Sequence, residues 1–169
     1  MNEALIGLGS NLGDRPAHLR AGCLGMLQNG INILSASSLY ESNPVGYVSS
    51  NPFLNAVVHV STGLNAAALM TILQTIELQA GRQKTNQYSD RPLDIDILFM
   101  GKECINLEGL SIPHPRAHLR GFVLVPAVEI APDWQHPLLG KTLRELLHGL
   151  NVDNEGIRFF SASNWLHNV

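Results

Sequence analysis

The most informative stretch of the sequence is Arg91-Pro92-Leu93-Asp94-Ile95-Asp96-Ile97-Leu98-Phe99. Apolar residues at every second position alternate there with Asp94 and Asp96, which is the period of a β-strand. Side chains two residues apart leave a strand on the same face. We therefore predict a strand whose two aspartates project together, about 6–7 Å apart along the chain.

The paired carboxylates indicate a site for a divalent cation. Two ionised carboxylates at that separation repel each other by about 2–3 kcal/mol at an effective dielectric of ~20. Mg²⁺ removes this cost, and it binds one or two protein carboxylates together with substrate phosphates. Arg91, just upstream, can meet a phosphate with two parallel hydrogen bonds. This combination favours phosphoryl-type chemistry at the start of the strand.

The alternative is that Asp94 and Asp96 lie on the solvated face of an ordinary amphipathic strand. Aspartate is disfavoured in strands, however, and this segment is otherwise suited to burial. It also follows the polar loop 81–90, which contains two cations and one aromatic residue. Such a composition is typical of a mobile anion-binding loop rather than of a tight connection.

Length and composition limit the class of protein. A chain of 169 residues can bury one core but not two ordinary ones, so we predict a single domain over residues 1–169. With 45% hydrophobic and 15% charged residues the chain is globular rather than disordered. A net charge of −3 gives no electrostatic reason to expect nucleic acid or an anionic membrane as partner.

The cysteines and the N-terminus indicate a reducing compartment. Cys23 and Cys104 are far apart and form no metal-binding or disulfide pattern. The N-terminus lacks the basic stretch and apolar run of a signal peptide, and no segment approaches a transmembrane length. We expect a cytoplasmic monomer.

Periodicity and turn residues predict an α+β fold with a ferredoxin-like core. The order βαββαβ is typical of an antiparallel sheet with helices on its faces. The predicted elements are strand 4–8, a helix capped by Asp14, strands 31–40 and 53–61, a helix capped by Asn65 that ends near Gly81, and the strand with Asp94 and Asp96.

The C-terminal third is expected to add a short strand and extra helices. A turn at 101–102 precedes a short strand at 104–105, and helix is predicted within 117–130. Thr142 and Glu145 form a capping box for a last short helix. Residues 151–169 fit no element and are treated as an extension of unassigned role.

The segment 41–52 is rich in proline, glycine and serine, which marks a loop. It is long for a connection inside a small domain. A lid or binding loop and a surface decoration both remain open on composition.

Two nucleotide motifs can be set aside. The glycines from Gly7 to Gly13 have one residue too many for a dinucleotide fingerprint, and Glu41 comes too late to be its acidic residue. No Walker A motif is present. His114 between two prolines, and the cationic group from Arg116 to Arg120, could contact phosphate or could simply be solvated.

Several motifs in order give the chain a family resemblance. It resembles the 6-hydroxymethyl-7,8-dihydropterin pyrophosphokinases of folate synthesis from Ala4 to about Leu147. The resemblance depends on the ordered set rather than on any one motif. The motifs are Gly9-Ser10-Asn11-Leu12-Gly13, Tyr40 followed by Pro44-Val45-Gly46, Phe53-Leu54-Asn55-Ala56, Gln74 with Glu77 and Gly81-Arg82, Arg91-x-x-Asp94-Ile95-Asp96, Pro113-His114-Pro115 and Arg120-Gly121-Phe122-Val123-Leu124.

The resemblance implies a reaction and a set of site residues. The implied reaction is ATP-dependent transfer of the β,γ-pyrophosphoryl group to the pterin hydroxymethyl group, with release of AMP. It implies that Asp94 and Asp96 hold two Mg²⁺ ions and act in catalysis with Arg82 and Arg91. The implied pterin-binding residues are Ser42, Pro44, Val45, Phe53, Asn55 and Phe122, and the implied ATP-binding residues are Gln74, Glu77, Lys84, Arg91, His114 and Arg120.

These roles agree with the chemistry of the residue types. Asn55 would read the hydrogen-bonding edge of the pterin, and Phe53 and Phe122 would sandwich its ring. Phosphoryl transfer needs mainly positioning and charge neutralisation. Loops 42–52 and 82–90 are expected to act as lids that exclude water.

The loop 82–91 departs from the family pattern and looks about one residue short. Tyr88 stands where tryptophan is common, Gln87 where a basic residue is common, and Ser89-Asp90 where the family usually shows Gly-Pro; Gly109 stands where some members carry arginine. These changes weaken the cationic character of the lid. Two alternatives follow: a ferredoxin-like binding module without enzymatic activity, and a member that binds both substrates without forming AMP.

Overall fold

The fold is built on an antiparallel sheet. The computed structural model describes residues 1–167 and 169. Within these residues no helix is both long enough and apolar enough to span a bilayer. The strands are β1 (Asn2–Ser10), β2 (Asn32–Ala36), β3 (Leu39–Ser42), β4 (Phe53–Thr62), β5 (Asp94–Met100), β6 (Ile105–Leu107), β7 (Leu110–Ile112) and β8 (Arg158–Ser161). Six of them form the main sheet in the order β5-β1-β4-β3-β8, with β2 also paired to β4, whereas β6 and β7 form a separate hairpin.

Helices cover both faces of the sheet. They are α1 (Arg15–Gln28), α2 (Ala66–Gln79), α3 (Gly121–Ile130) and α4 (Leu143–His148), with 3-10 turns at 117–119, 153–155 and 163–166. The apolar residues of α1 and α2 share one core with alternate residues of β1, β4 and β5. Residues of α3 and α4 share a second core with Leu5, Val57 and Phe99 on the opposite face. The predicted ferredoxin-like arrangement is confirmed.

The predicted helix ends are confirmed by their hydrogen bonds. Asp14 accepts from the backbone of Ala17 at 3.0 Å, and Asn65 accepts from that of Ala68 at 2.9 Å. The capping box of Thr142 is complete in both directions. Each cap satisfies backbone donors that have no partner inside the helix.

The single strand predicted over 31–40 is wrong, because two strands occupy that segment. Ser37 accepts a hydrogen bond from the Val57 backbone through its side chain, at 3.0 Å, and donates the same hydroxyl to the Ser38 carbonyl. A side chain thus takes the place of a backbone ladder bond, and the Ser38 backbone turns to Glu129 of α3. The helical stretch expected to cover part of 117–130 is confirmed as a 3-10 turn and α3, which are separated by the extended backbone of Arg120.

The unassigned C-terminal residues extend the main sheet. The strand β8 pairs with β3, with Tyr40 opposite Phe159. After it, the buried Trp165 donates its indole N–H to the Ser37 carbonyl at 2.8 Å. Phe159 and Phe160 are exposed on this edge strand. The segment therefore lacks the alternation of buried and exposed residues by which a strand is predicted from sequence.

Candidate active site

The register of the sheet places the predicted acidic and amide side chains in one row. Asp94 on β5 lies opposite Gly9 on β1, and Gly9 lies opposite Asn55 on β4. Paired residues in an antiparallel sheet project from the same face. The face in question is the one covered by α3, because Leu5 on the same side of β1 packs in the α3 core. The row therefore runs across the floor of a cleft under α3.

Two glycines open this floor beside the aspartates. Gly7 lies opposite Asp96, as Gly9 lies opposite Asp94. A Cβ atom at Gly9 would lie 3.5 Å from the Phe53 ring, and one at Gly7 would lie 3.3 Å from Leu98. Both glycines line the cavity; at Gly7 the space is occupied by Leu98, whereas at Gly9 the missing side chain leaves the backbone of β1 accessible between Phe53, Asn55 and Asp94. The resulting cavity has a volume of about 210 Å³.

The two aspartates have different surroundings. The Asp94 carboxylate forms ion pairs with Arg82 and, at 3.0 Å, with Arg91. Asp96 has no ion pair among the described residues. Burial, followed by the negative charges of Asp94 and Glu77, raises the pKa of Asp96 to about 7. The floor thus holds a carboxyl group that is costly to ionise, although Arg120 and Arg82 partly offset this cost.

Glu77 supports this acidic centre from α2. Its carboxylate accepts from the Ile95 backbone at 2.7 Å and from Arg82 at 2.5 Å. Burial is the largest cause that raises the pKa of Glu77 to about 7, against the lowering effect of these hydrogen-bond donors. Burial lowers the pKa of Arg82, but the carboxylates of Asp94 and Glu77 outweigh it and the net shift is upward. Arg82 therefore stays protonated between the two acids.

The acidic pair fits a divalent cation that obtains further ligands from a substrate. No group of three or more histidine, cysteine, aspartate or glutamate side chains that could hold a metal occurs within residues 1–167 and 169. Mg²⁺ commonly binds one or two carboxylates and completes its shell with phosphates and water. Asp96, which makes no ion pair among the described residues, lies beside Asp94, and two neighbouring carboxylates of this kind are stabilised by a cation.

His114 and Arg120 contribute to the opposite wall. The His114 backbone donates to the Leu98 carbonyl at 2.9 Å, which ties this wall to β5. Burial, with the charges of Arg120 and Arg116, lowers the pKa of His114 to about 4, so its ring is neutral at neutral pH. Its Nδ1 accepts from the Arg116 backbone at 3.1 Å, and the ring proton is therefore on Nε2. His114 can donate a hydrogen bond, and Arg120 adds a positive charge.

Asn55 is held in one orientation at the other end of the cavity. It is buried, and its Nδ2 donates to the Ser42 hydroxyl at 2.9 Å and to the Tyr40 carbonyl at 3.2 Å. The rings of Phe53 and Phe122 both line the same cavity. A flat heterocycle with a polar edge matches two aromatic rings and one fixed amide.

Most of the predicted site residues lie in this one cavity. The lining includes Ser42, Val45, Phe53, Asn55, Arg82, Arg91, Asp94, Asp96, His114, Arg120 and Phe122. Pro44, Gln74, Glu77 and Lys84 are outside the lining, although Glu77 contacts it through Arg82. Gln74 and Lys84 are exposed. The individual roles of all these residues stay predictions.

The cavity also has lining residues that the sequence reasoning did not assign to the site. They include Gly7, Gly9, Asn43, Tyr88 and Arg116. The spacing of the two glycines, which matches that of the two aspartates, is the signal that could have revealed them. No comparable pattern in the sequence predicts the hydrogen bond that Arg116 donates to the Tyr88 hydroxyl at 2.8 Å.

Asp90 joins the two loops above the cavity. Its carboxylate accepts from Tyr47, at 3.0 Å, and from Asn51, both in the loop 43–52. It also accepts from Asn11 at 2.9 Å, and Asn11 itself pairs with the backbone of Arg91. These donors, with Ser49 as the largest contributor, lower the pKa of Asp90. The rings of Tyr47 and Tyr88 stack 6.4 Å apart.

Comparison with known proteins places the chain in a family. A sequence model of the family described as 7,8-dihydro-6-hydroxymethylpterin-pyrophosphokinase (HPPK) matches residues 5–132. The chain is 42% identical to the 2-amino-4-hydroxy-6-hydroxymethyldihydropteridine pyrophosphokinase of Bacillus subtilis (strain 168), over 93% of this chain and 89% of that protein. It is 43% identical to the folic acid synthesis protein fol1 of Pneumocystis carinii over 84% of this chain, which spans only 19% of that longer protein.

Solved structures agree on the fold. The wild-type HPPK-DHPS protein of Plasmodium falciparum superposes with a TM-score of 0.67 at 18% identity, over 87% of this chain and 44% of that chain. At this identity the likeness concerns the fold alone. The sequence match, the shared fold and the cavity with its acidic row agree with one another, and the chain belongs to the 7,8-dihydro-6-hydroxymethylpterin-pyrophosphokinase family.

Proposed function

We propose that this chain catalyses the ATP-dependent transfer of a pyrophosphoryl group to 6-hydroxymethyl-7,8-dihydropterin in folate biosynthesis. The products are AMP and the pterin diphosphate. The observation that carries the proposal is the row formed by Asp94, Gly9 and Asn55, which brings an acidic centre and a fixed amide to one cavity. A pterin held at the amide end would present its hydroxymethyl group toward the aspartates.

The reaction joins the hydroxymethyl oxygen to the β-phosphorus of ATP. The bond between the β-phosphorus and the oxygen that bridges to the α-phosphate breaks, AMP leaves, and one proton is released overall. Asp94 and Asp96 would hold two Mg²⁺ ions, which when bound neutralise phosphate charge and orient the reacting oxygens. The position of Asp96 two residues from Asp94, on the same face of β5, supports this assignment.

The cations of the site are suited to bind the triphosphate. Arg82 and Arg91 pair with Asp94 beside the cavity, and guanidinium groups in this position can also bind phosphate oxygens in bidentate fashion. The neutral His114 can donate its Nε2 proton, and Arg120 lies beside it on the same wall. Gln74, Glu77 and Lys84 complete the proposed ATP site.

The aromatic end of the cavity is suited to bind the pterin. Phe53 and Phe122 would stack on its two faces, with Ser42, Pro44 and Val45 beside it. The Asn55 Oδ1 is left to accept from the pterin, because Nδ2 already donates to Ser42 and Tyr40. Loops 42–52 and 82–90 would exclude water during transfer, since water is a competing nucleophile for ATP.

We further propose that the catalytic unit is one domain over residues 1–169 and acts as a monomer in the cytoplasm. Cys104 is an exposed free thiol, which suits a reducing compartment.

The decisive assay is AMP formation from ATP, Mg²⁺ and 6-hydroxymethyl-7,8-dihydropterin, with controls that lack the pterin or the metal. We expect AMP only when both are present. Binding of both substrates without AMP would show that the altered 82–91 loop cannot support turnover. Absence of binding would overturn the proposed function.

A further inference from the structure

A C-terminal segment outside the matched family region contacts two walls of the proposed pterin site. The family model ends its match at residue 132. Beyond it, residues 153–155 form a 3-10 turn whose last residue, Glu155, is half-buried. This residue is bonded to the backbone of α3 and also to that of the loop that follows β3.

Three hydrogen bonds connect Glu155 to these walls. Its Oε2 accepts from the Gly121 backbone at 2.8 Å, and its Oε1 accepts from the Phe122 backbone at 3.3 Å. Its backbone carbonyl accepts from the Asn43 backbone at 2.9 Å. Phe122 and Asn43 both line the cavity, so one residue holds the main chain on both sides of it.

The first turn of α3 depends on this carboxylate. Its N-cap residue, Arg120, makes no side-chain capping bond. The first N–H groups of a helix have no partner within the helix, and a negative charge near them is favourable. Glu155 supplies both the acceptors and the charge from 34 residues away in sequence.

Two glycines allow the close approach. A Cβ atom on Gly121 would lie 2.5 Å from Val152 and 2.6 Å from the Glu155 carboxylate. Gly156 has a positive φ of 60°, and a Cβ atom there would lie 2.6 Å from the Asn43 side chain. Gly121 therefore leaves space for the Glu155 carboxylate, and the positive φ of Gly156 lets the chain after Glu155 pass close to Asn43.

We propose that Glu155 is a positioning residue for the pterin. It orders the Phe122 ring and the chain at Asn43 before the ligand arrives. If this anchor is missing, the ligand must order both walls when it binds, and the cost appears as lower affinity. The inference rests on the proposed function, because the pterin is the ligand which that function assigns to the cavity.

The test uses the full chain with Glu155→Ala, Glu155→Gln and a matched control, Asp153→Ala. Asp153 lies in the same turn and is exposed. Dissociation constants are measured separately for 6-hydroxymethyl-7,8-dihydropterin and for ATP with Mg²⁺. We expect Glu155→Ala to raise the pterin Kd about tenfold, the size of a lost helix cap, and to change the ATP Kd less than about threefold.

Two further readouts separate positioning from general loss of structure. Glu155→Gln keeps the side-chain volume and one acceptor oxygen, so its pterin Kd should lie between those of wild type and Glu155→Ala. Hydrogen exchange of the Gly121 and Phe122 amides should accelerate in Glu155→Ala and remain unchanged in the control. Should Glu155→Ala fail to fold, Glu155→Gln gives the same comparison.

An unchanged pterin Kd, or equal losses for pterin and ATP, would overturn the positioning role while leaving the proposed function intact. Failure of the proposed function has a different signature, since the wild-type chain itself would then form no AMP. Unchanged exchange at both amides would overturn the structural part of the proposal in either case.

Discussion

The floor of the cavity and the loops above it are held by different interactions. The floor consists of β1, β4 and β5, which are joined by antiparallel backbone pairing, with one register shift between β1 and β5 at Leu5 and Ile6, and which pack against helices on both faces. The loops 43–52 and 82–91 lie outside the sheet and are connected to each other through side-chain hydrogen bonds to Asp90. Asp94 and Asp96 therefore lie in the floor, which we expect to open only when the whole domain unfolds. The loop residues lie in segments that can open locally.

The largest effect is expected from Asp96→Ala on the floor. Removal of one of the two proposed metal ligands should reduce kcat about 10³-fold, the upper range for loss of one charge-stabilising group in an active site. Mg²⁺-dependent tightening of ATP binding should also be lost. Steady-state kinetics and calorimetry measure the two effects, and retained activity would refute the metal assignment.

A matched variant tests whether this loss comes from unfolding. Asp133→Ala changes an exposed aspartate that has only a 3.6 Å ion pair with Arg144. Its activity and melting temperature should remain close to those of the wild type. Asp96→Ala should also melt cooperatively, because it removes a charge that is costly to bury rather than one that is paired.

The next effect concerns Asn55→Ala at the aromatic end of the floor. This change removes the fixed amide, and its loss should weaken pterin binding about 10- to 100-fold, because a buried polar edge of the ligand is left without a partner. ATP binding should change little and serves as the internal control. Equal losses for both ligands would contradict the role assigned to Asn55.

A smaller effect is expected from Asp90→Ala, which breaks the connection between the loops. Without the acceptor for Tyr47, Asn51 and Asn11, both loops should open more often, and limited proteolysis within 82–91 should become about tenfold faster. The neighbouring Ser89→Ala serves as the control. Cleavage at the wild-type rate would mean that Asp90 does not hold the loops.

The last effect is a pH dependence of stability without metal or nucleotide. The pKa of Asp96 is about 7 in the folded chain and 3.8 without the fold, so the unfolded chain ionises first as pH rises. The free energy of unfolding should therefore fall between about pH 4 and pH 7. Glu77 contributes in the same direction, since its pKa is raised to about 7 from 4.5.

Chemical denaturation at several pH values measures this slope. Asp96→Asn should make it shallower, whereas Asp133→Asn should leave it unchanged. A slope that is the same in wild type and Asp96→Asn would show that Asp96 ionises in the folded chain as easily as in the unfolded one.

The floor could be predicted from sequence because its signals are local. Alternation around Asp94 and Asp96 gave the strand, the caps at Asp14 and Asn65 gave the helix starts, and the ordered motifs gave the family, which is confirmed. The split at Ser37 could not be predicted, because it arises when a side chain replaces a backbone bond across the sheet.

The loops and the C-terminus could not be predicted for a different reason. In the sequence, Asp90 stands out only as a departure from the family pattern that weakens the cationic character of the lid, because its hydrogen-bond partners lie up to 79 residues away. Glu155 contacts α3 across 34 residues, and β8 exposes Phe159 and Phe160 at the edge of the sheet. Such contacts become visible only when the fold brings distant segments together.

The proposed pyrophosphoryl transfer is tested most directly by phosphorus NMR of the products formed from ATP, Mg²⁺ and 6-hydroxymethyl-7,8-dihydropterin. Transfer of a pyrophosphoryl group predicts AMP and pterin diphosphate in equal amounts, and about 10³-fold less of both in the same reaction time with Asp96→Ala. ADP with a pterin monophosphate, or AMP with free pyrophosphate and unchanged pterin, would contradict it.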